Sequence, residues 1–505
     1  MKKRKKSSFE RGAGVLMHVS SLPNAYGIGT FGKSAYDFAD ALASAKIKYW
    51  QVLPLVQTGF GDSPYQSVYA SSGNPYFIDL EMLVEEGLLK KSELRLCAYT
   101  GEKINYDFLY RRKYALLRRA FFRFDTSDSD FLSFVGTGAF EDYALFMAIK
   151  MQSENRPFIL WDGEYKYRNA DRLARFKREN YGEYLFWQFL QYKFSAQWKA
   201  LKSYVNGLGI KIIGDLPLYV SGDSADVWAN PALFKLSADL KPAKVAGVPP
   251  DYFSATGQLW GNPVYRWEEH RKDGYRWWTE RIKKAFEIYD IVRIDHFRGF
   301  DRYFEIDAGE DTAVGGKWKN GPKEAFFRSV NAALGQPAFI AEDLGILDEG
   351  VLRLLKNTGY PGMKIMLFAF DGNENNAYLP KNITPESVCY TGTHDNDTVC
   401  GYIDGLSDRD FCIFRERVER AAEAQGVKVN TDTRAGTAKA LCALVLESKA
   451  SIAVLPVQDI MGAGNDDRMN TPSTSSGNWQ FRLQKLPPKK VWNTLRAQVV
   501  KYGRD

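Results

Sequence analysis

The stretch Ile291-Val292-Arg293-Ile294-Asp295-His296-Phe297-Arg298-Gly299 brings a guanidinium, an acid and an imidazole to the end of an apolar, β-branched run. A buried strand that carries its charges out at its C-terminal end is how barrel enzymes assemble a site. Strand-then-acid recurs at Lys211-Ile212-Ile213-Gly214-Asp215, at Ala338-Phe339-Ile340-Ala341-Glu342-Asp343 and at Val388-Cys389-Tyr390-Thr391-Gly392-Thr393-His394-Asp395. Paired acids suit glycosidic bond cleavage, one as nucleophile and one as proton donor. A separation of about 5 to 5.5 Å retains configuration, and a wider one admits water and inverts it. Asp295 and Glu342 are the natural pair. Arg293, two residues earlier on the same strand face, favours an ionised Asp295, whereas Glu342 has to stay protonated near neutral pH. His394 and Asp395 are candidates to grip sugar hydroxyls. Asp and Arg alternating at a strand end can equally form a buried ion pair that only closes a barrel, and spacing alone does not separate the two.

These acids need strands that converge. Apolar runs predict eight strands at 14–20, 49–56, 210–220, 288–295, 338–342, 363–370, 387–393 and 451–457, with helices between most of them, such as 34–45, 349–357 and 408–424. The alternation predicts an α/β fold, a closed (β/α)8 TIM barrel of one elaborated domain over residues 1–505. A doubly wound open sheet shares the alternation, but it would spread the acids along an edge instead of gathering them at one mouth. Two long insertions interrupt the pattern. Residues 66–205 read as a mainly helical subdomain between strands two and three, its last helix (184–204) ending at Gly207 and Gly209 in a left-handed cap. Residues 221–287 read as a loop-rich subdomain beside the site, with Gly247-Val248-Pro249-Pro250-Asp251-Tyr252-Phe253-Ser254 and Leu259-Trp260-Gly261-Asn262-Pro263.

Composition narrows the function. Lys plus Arg (68) exceed Asp plus Glu (61) by 7, and Lys2, Lys3, Arg4, Lys5 and Lys6 account for most of that excess, so a solvated tail explains the charge without a nucleic-acid partner. That tail lacks the apolar core of a secretory signal, and no run approaches the roughly 18 apolar residues of a membrane span. A cytoplasmic location is expected. Five scattered cysteines and four histidines predict reduced thiols and no zinc site. Gly27-Ile28-Gly29-Thr30-Phe31-Gly32 fits G-x-G-x-x-G, but six residues separate it from its strand and no ribose-binding acid follows in Tyr49-Trp50-Gln51-Val52-Leu53. No dinucleotide, and no other cofactor, is expected. Twelve Trp and 28 Tyr hint at a sugar ligand, since ring faces stack on sugar C–H faces.

Four motifs, in order, carry a resemblance: Gly214-Asp215-Leu216-Pro217-Leu218-Tyr219-Val220, Arg293-Ile294-Asp295-His296-Phe297-Arg298-Gly299, Ala341-Glu342-Asp343-Leu344-Gly345 and Thr393-His394-Asp395-Asn396. Together they resemble the 4-α-glucanotransferases, the amylomaltases or disproportionating enzymes of glycoside hydrolase family 77 in the α-amylase clan. The likeness runs from His18-Val19-Ser20-Ser21-Leu22-Pro23 to Gly477-Asn478-Trp479. It implies Asp295 as nucleophile, Glu342 as general acid and base, and Asp395 as stabiliser of the distorted sugar. Asp215, Arg293 and His394 would line the same subsite. Tyr65, Asp251 and Trp260 would border the acceptor side, and Asn470 would join the substrate-binding set. The partners implied are an α-1,4-glucan donor and a glucose or maltooligosaccharide acceptor. The calcium-binding Asn-His found after strand three in many α-amylases is absent, so no metal is expected. Ser473-Thr474 replaces a usual Gly-Thr, Phe481 a usual Trp, and Ser67 to Tyr76 is unusual at its centre. These departures bear on chain-length preference and on the balance of transfer and hydrolysis.

Two rivals remain at this stage. An α-1,4-glucan hydrolase would use the same acids, and a non-catalytic glucan-binding barrel would use none of them, although Asp295, Glu342 and Asp395 all persist.

Overall fold

A computed structural model describes residues 9–505 except 60, 251–253, 346 and 475. Eight parallel strands close into a barrel: β1 (Gly12–Leu16), β2 (Tyr49–Gln51), β3 (Lys211–Leu216), β4 (Ile291–Ile294), β5 (Phe339–Ala341), β6 (Gly362–Ile365), β7 (Ser387–Tyr390) and β8 (Ile452–Pro456). Each pairs with its sequence neighbours, and β1 closes on β8 through Gly12 opposite Ile452 to Leu16 opposite Pro456. Apart from the exposed Lys211, their residues are almost all buried, as strands covered on both faces must be. Gly214 leaves room where a Cβ would stand 2.1 Å from the Tyr289 ring. That ring's hydroxyl accepts the Leu55 N–H at 3.0 Å, so one tyrosine fixes β3 against the chain leaving β2.

The strands are shorter at the mouth than their apolar runs predict. Beyond Leu16 the chain turns into a 3-10 segment, Val19–Ser21, where a strand to residue 20 was expected. The β6–β7 ladder stops at Ile365 opposite Tyr390, and Met366–Phe368 also coils as 3-10. After Leu216 comes Pro217, which has no N–H to continue a ladder. Apolar sequence persists in these places because the turns pack inward, not because they are extended.

Between β2 and β3 lie the helices Tyr106–Arg123, Glu141–Gln152 and Tyr181–Gly207 and several shorter ones. Tyr181–Gly207 ends at Leu208 and Gly209, the latter at φ +79°, a conformation glycine adopts without Cβ strain. The Pro- and Gly-rich segment after β3 is more ordered than its composition predicts. Lys244–Val248 and Gln258–Pro263 are strands, and with Arg302–Asp307 and Lys317–Asn320 they form a four-stranded antiparallel sheet. A register shift between Val245 and Gly247 masks the alternation. Gly247 is needed there, because a Cβ would lie 2.2 Å from the Gln258 carbonyl.

The glycine stretch rejected as a cofactor loop serves packing. Gly29 donates its N–H to Ser20 O at 2.8 Å, and a Cβ on it would fall 1.8 Å from Val19 O. At the opposite end of the barrel, Arg504 is buried, with Nη1 donating to Gly12 O at 3.2 Å and Nη2 to Ser448 O at 2.6 Å. It seals the seam between the first and last strands. Among the described residues no helix is long and apolar enough to cross a membrane, and the five cysteines are free.

Candidate active site

Arg293 leaves β4 with its side chain inside the barrel, opposite Asp215 of β3 in register. Its guanidinium reaches three carboxylates at once. Nη2 lies 3.0 Å from Asp215 Oδ2 and 3.0 Å from Asp295 Oδ1, while Nη1 lies 3.6 Å from Glu342 Oε2. A planar fork of five donors can do this, and a lysine ammonium cannot. The Tyr65 hydroxyl donates to Asp215 Oδ2 at 2.6 Å. Asp215 is held through Oδ2 by Arg293 and Tyr65, with its side chain fully buried, whereas the side chains of Asp295 and Glu342 remain 27% and 18% exposed, open to a substrate.

The backbone just past Asp295 completes the acid pair. His296 adopts a left-handed conformation (φ 51°, ψ 49°), and its N–H donates to Glu342 Oε2 at 2.5 Å. Glu342 N in turn donates to Ile294 O at 3.0 Å, which fixes β5 beside β4. A non-glycine residue in this region signals a constraint imposed by its surroundings.

A second group faces the first across the mouth. Asn470 Nδ2 donates to Asp395 Oδ1 at 2.6 Å, and His394 Nε2 lies 3.3 Å from Asp395 Oδ2. Arg468 braces this corner, donating to the Asp395 carbonyl and to Asn470 O. Tyr65 links the two groups: its ring stacks on His394 at 5.2 Å and 11°, and Trp479 leans on both rings at 5.7 and 5.9 Å. On the other lip the Trp260 ring meets His296 edge-on at 4.9 Å and 88°.

Burial decides the charges. It raises both carboxyls, Asp295 well above the usual range and Glu342 to about 7, and Arg293 opposes both shifts. Two such groups around one guanidinium titrate as a coupled pair, each favouring the neutral form of the other. Arg293 lies closer to Asp295 than to Glu342, which favours the carboxylate form more strongly at Asp295. Burial also works against the Arg293 charge, but Asp215 and its neighbours outweigh it and hold the cation on. His394 and His296 are pushed down by burial, His296 to about 4, so both rings are neutral at pH 7. Tyr65 is raised by burial and keeps its proton for Asp215.

Of the residues singled out from the sequence, Tyr65, Asp215, Arg293, Asp295 and Glu342 form one connected network, and His394, Asp395 and Asn470 a second that touches it through Tyr65. Trp260 meets the site at His296. Asp251 lies outside the described residues. His296 and Trp479 were missed as site residues. His296 stands in the very motif that carries Asp295, but no sequence pattern reports a backbone N–H aimed at an acid 46 residues on.

The chain is also similar to known proteins. The profile of the family described as 4-alpha-glucanotransferase matches residues 17–487. A 4-alpha-glucanotransferase of Clostridium butyricum is 45% identical over 495 residues, 97% of this chain and 100% of the relative. One of Thermus thermophilus is 42% identical over 482 residues, covering 94% and 95%. An amylomaltase from Streptococcus agalactiae, solved in complex with acarbose, superposes with a TM-score of 0.93 at 36% identity over 98% of this chain and 100% of that one.

Proposed function

We infer the roles of individual residues from the premise that this chain belongs to the 4-alpha-glucanotransferase family, glycoside hydrolase 77, and moves segments of α-1,4-glucan. Asp295 attacks the anomeric carbon of the donor while Glu342 gives its proton to the departing glycosidic oxygen. The donor's reducing-end fragment leaves, and the retained segment is held as an ester of Asp295. Glu342, now a carboxylate, takes the proton from the 4-hydroxyl of an acceptor, whose oxygen displaces Asp295 with net retention. Asp395, Asn470 and His394 grip hydroxyls of the distorted sugar, and Tyr65 and Trp260 border the acceptor. One observation carries this division of labour, the single guanidinium of Arg293 shared unequally between Asp295 and Glu342.

The acceptor is glucose or a maltooligosaccharide, since bonds broken and formed are alike and transfer then needs no energy source. Water competes, and excluding it a thousandfold requires about 4 kcal/mol of differential transition-state stabilisation. The unpaired cysteines and the absence of a membrane-crossing helix among the described residues support a cytoplasmic setting.

Incubation with maltotriose alone tests the reading. The expected result is glucose plus a ladder of longer maltodextrins at a constant number of reducing ends, reduced on the order of ten-thousandfold in Asp295→Asn. Rising reducing ends without longer products would refute transfer, and an active Asp295→Asn would refute the nucleophile.

A further inference from the structure

Tyr65 and Trp260 reach the cleft from distant segments, and one pair of amides joins those segments. Gln66 Nε2 donates to Asn262 Oδ1 at 3.0 Å, and Asn262 Nδ2 donates back to Gln66 Oε1 at 3.2 Å. Gln66 Nε2 also lies 3.4 Å from the Trp260 carbonyl. Asn262 is buried, 5% exposed, and its Nδ2 makes a further bond of 2.8 Å to Val220 O.

These bonds close a ring. Val220 follows β3, β3 carries Asp215, Asp215 accepts the Tyr65 hydroxyl at 2.6 Å, and Tyr65 adjoins Gln66. The backbone of Gln66 is itself fixed, its N–H on Ser63 O at 3.0 Å and its carbonyl accepting Gly59 N–H at 2.9 Å. On the far side, Trp260 abuts His296, whose N–H holds Glu342. A reciprocal pair of primary amides is satisfied only by two amides, because a carboxylate lacks the donor and an alkyl group lacks both. Breaking it leaves a buried amide with lost partners.

We propose that the Gln66–Asn262 pair is a positioning device for the acceptor half of the reaction. It sets the spacing of Tyr65 and Trp260, so that a glucan hydroxyl rather than water meets the ester on Asp295. The proposal rests on the assignment of Asp295, Glu342 and the acceptor wall given above. Neither amide contacts the two acids, and the Gln66 backbone is fixed independently of its side chain, so loss of the pair bears on the partition of the ester between acceptor and water more than on its formation.

α-Maltosyl fluoride separates the two halves. In the first, the C–F bond breaks, the C–O bond to Asp295 forms and fluoride leaves, giving a burst. In the second, water yields maltose and added glucose yields maltotriose. In Gln66→Leu the burst rate should stay within about twofold of wild type, while the maltose-to-maltotriose ratio rises about tenfold and the KM for glucose increases. Gln66→Glu keeps the size and an acceptor oxygen but cannot donate to Asn262 Oδ1, and should shift the ratio the same way. A wild-type ratio in either folded variant would overturn the proposal, as would a burst that slows in step with transfer. Failure of both variants to fold would also overturn it, since the pair would then build the fold and not the acceptor wall. Failure of the underlying reading looks different: no burst in the wild-type enzyme, or a burst that survives Asp295→Asn.

Discussion

Replacing Glu342 by Gln should make the protein more stable at alkaline pH while abolishing transfer. The folded structure raises this carboxyl from its ordinary 4.5 to about 7, with burial as the main cause. A folded value above the unfolded one means that, between those two pH values, the folded state keeps a proton that the unfolded state releases. Stability therefore falls as pH rises through this window, and above pH 7 the full cost is about 3 kcal/mol. Gln carries no such cost. Near pH 4.5 the two proteins should unfold at similar temperatures. With an unfolding entropy of about 2.1 cal/mol/K per residue, roughly 1 kcal/mol shifts Tm by one degree in a chain of 505 residues, so at pH 8 the variant should melt about 3 °C higher. Differential scanning calorimetry of both proteins from pH 4.5 to 8.5 reads the difference directly. A Tm difference that is flat across this range, or that falls with pH, would refute the claim that Glu342 is held protonated by its burial.

Arg293→Lys keeps the charge but loses the fork, so the anions of Asp295 and Glu342 lose stabilisation and both limbs of the kcat/KM–pH profile should move to higher pH; an unmoved profile would contradict the shared-guanidinium account. Tyr65→Phe removes the 2.6 Å bond to Asp215 and should lower kcat by about 10- to 100-fold, the equivalent of roughly 1.5–3 kcal/mol, in maltotriose disproportionation. Gly214→Ala drives a methyl into the Tyr289 ring and should cost about 1–3 kcal/mol in urea unfolding, with no such loss if the ring can swing aside.

The barrel was legible because its strands are short apolar runs, four of them ending in acids, and because helices such as Asp408–Ala424 and Glu349–Thr358 show clean periodicity. The acids were legible for the same reason, since strand ends place them. Strand lengths were not, because Val19 and Leu367 are as apolar as strand residues yet lie in inward-packed turns. The antiparallel sheet was hidden as well: Gln258–Pro263 contains Gly261 and ends in proline, and its partner Lys244–Val248 carries a register shift. The aromatic bracket of Tyr65, His394 and Trp479 joins three segments that share no local pattern, so only the closed fold reveals it. The left-handed turn at His296 was equally silent, for nothing in an Asp-His-Phe sequence demands positive φ.

The seam held by Arg504 has a consequence for how the protein is made. Gly12 and Arg504 stand 492 residues apart, and at about 5–20 residues per second a ribosome spends roughly 25 to 100 seconds between them. For most of that interval, until Ile452–Pro456 is made, β1 has no β8 to pair with, and its ladder groups form an open edge of the kind that invites contact with other chains. Only when Arg504 emerges can its guanidinium reach back to β1. For a nascent chain on the ribosome, closing the barrel waits on β8 and then on Arg504, and β1 stays open to other chains until then.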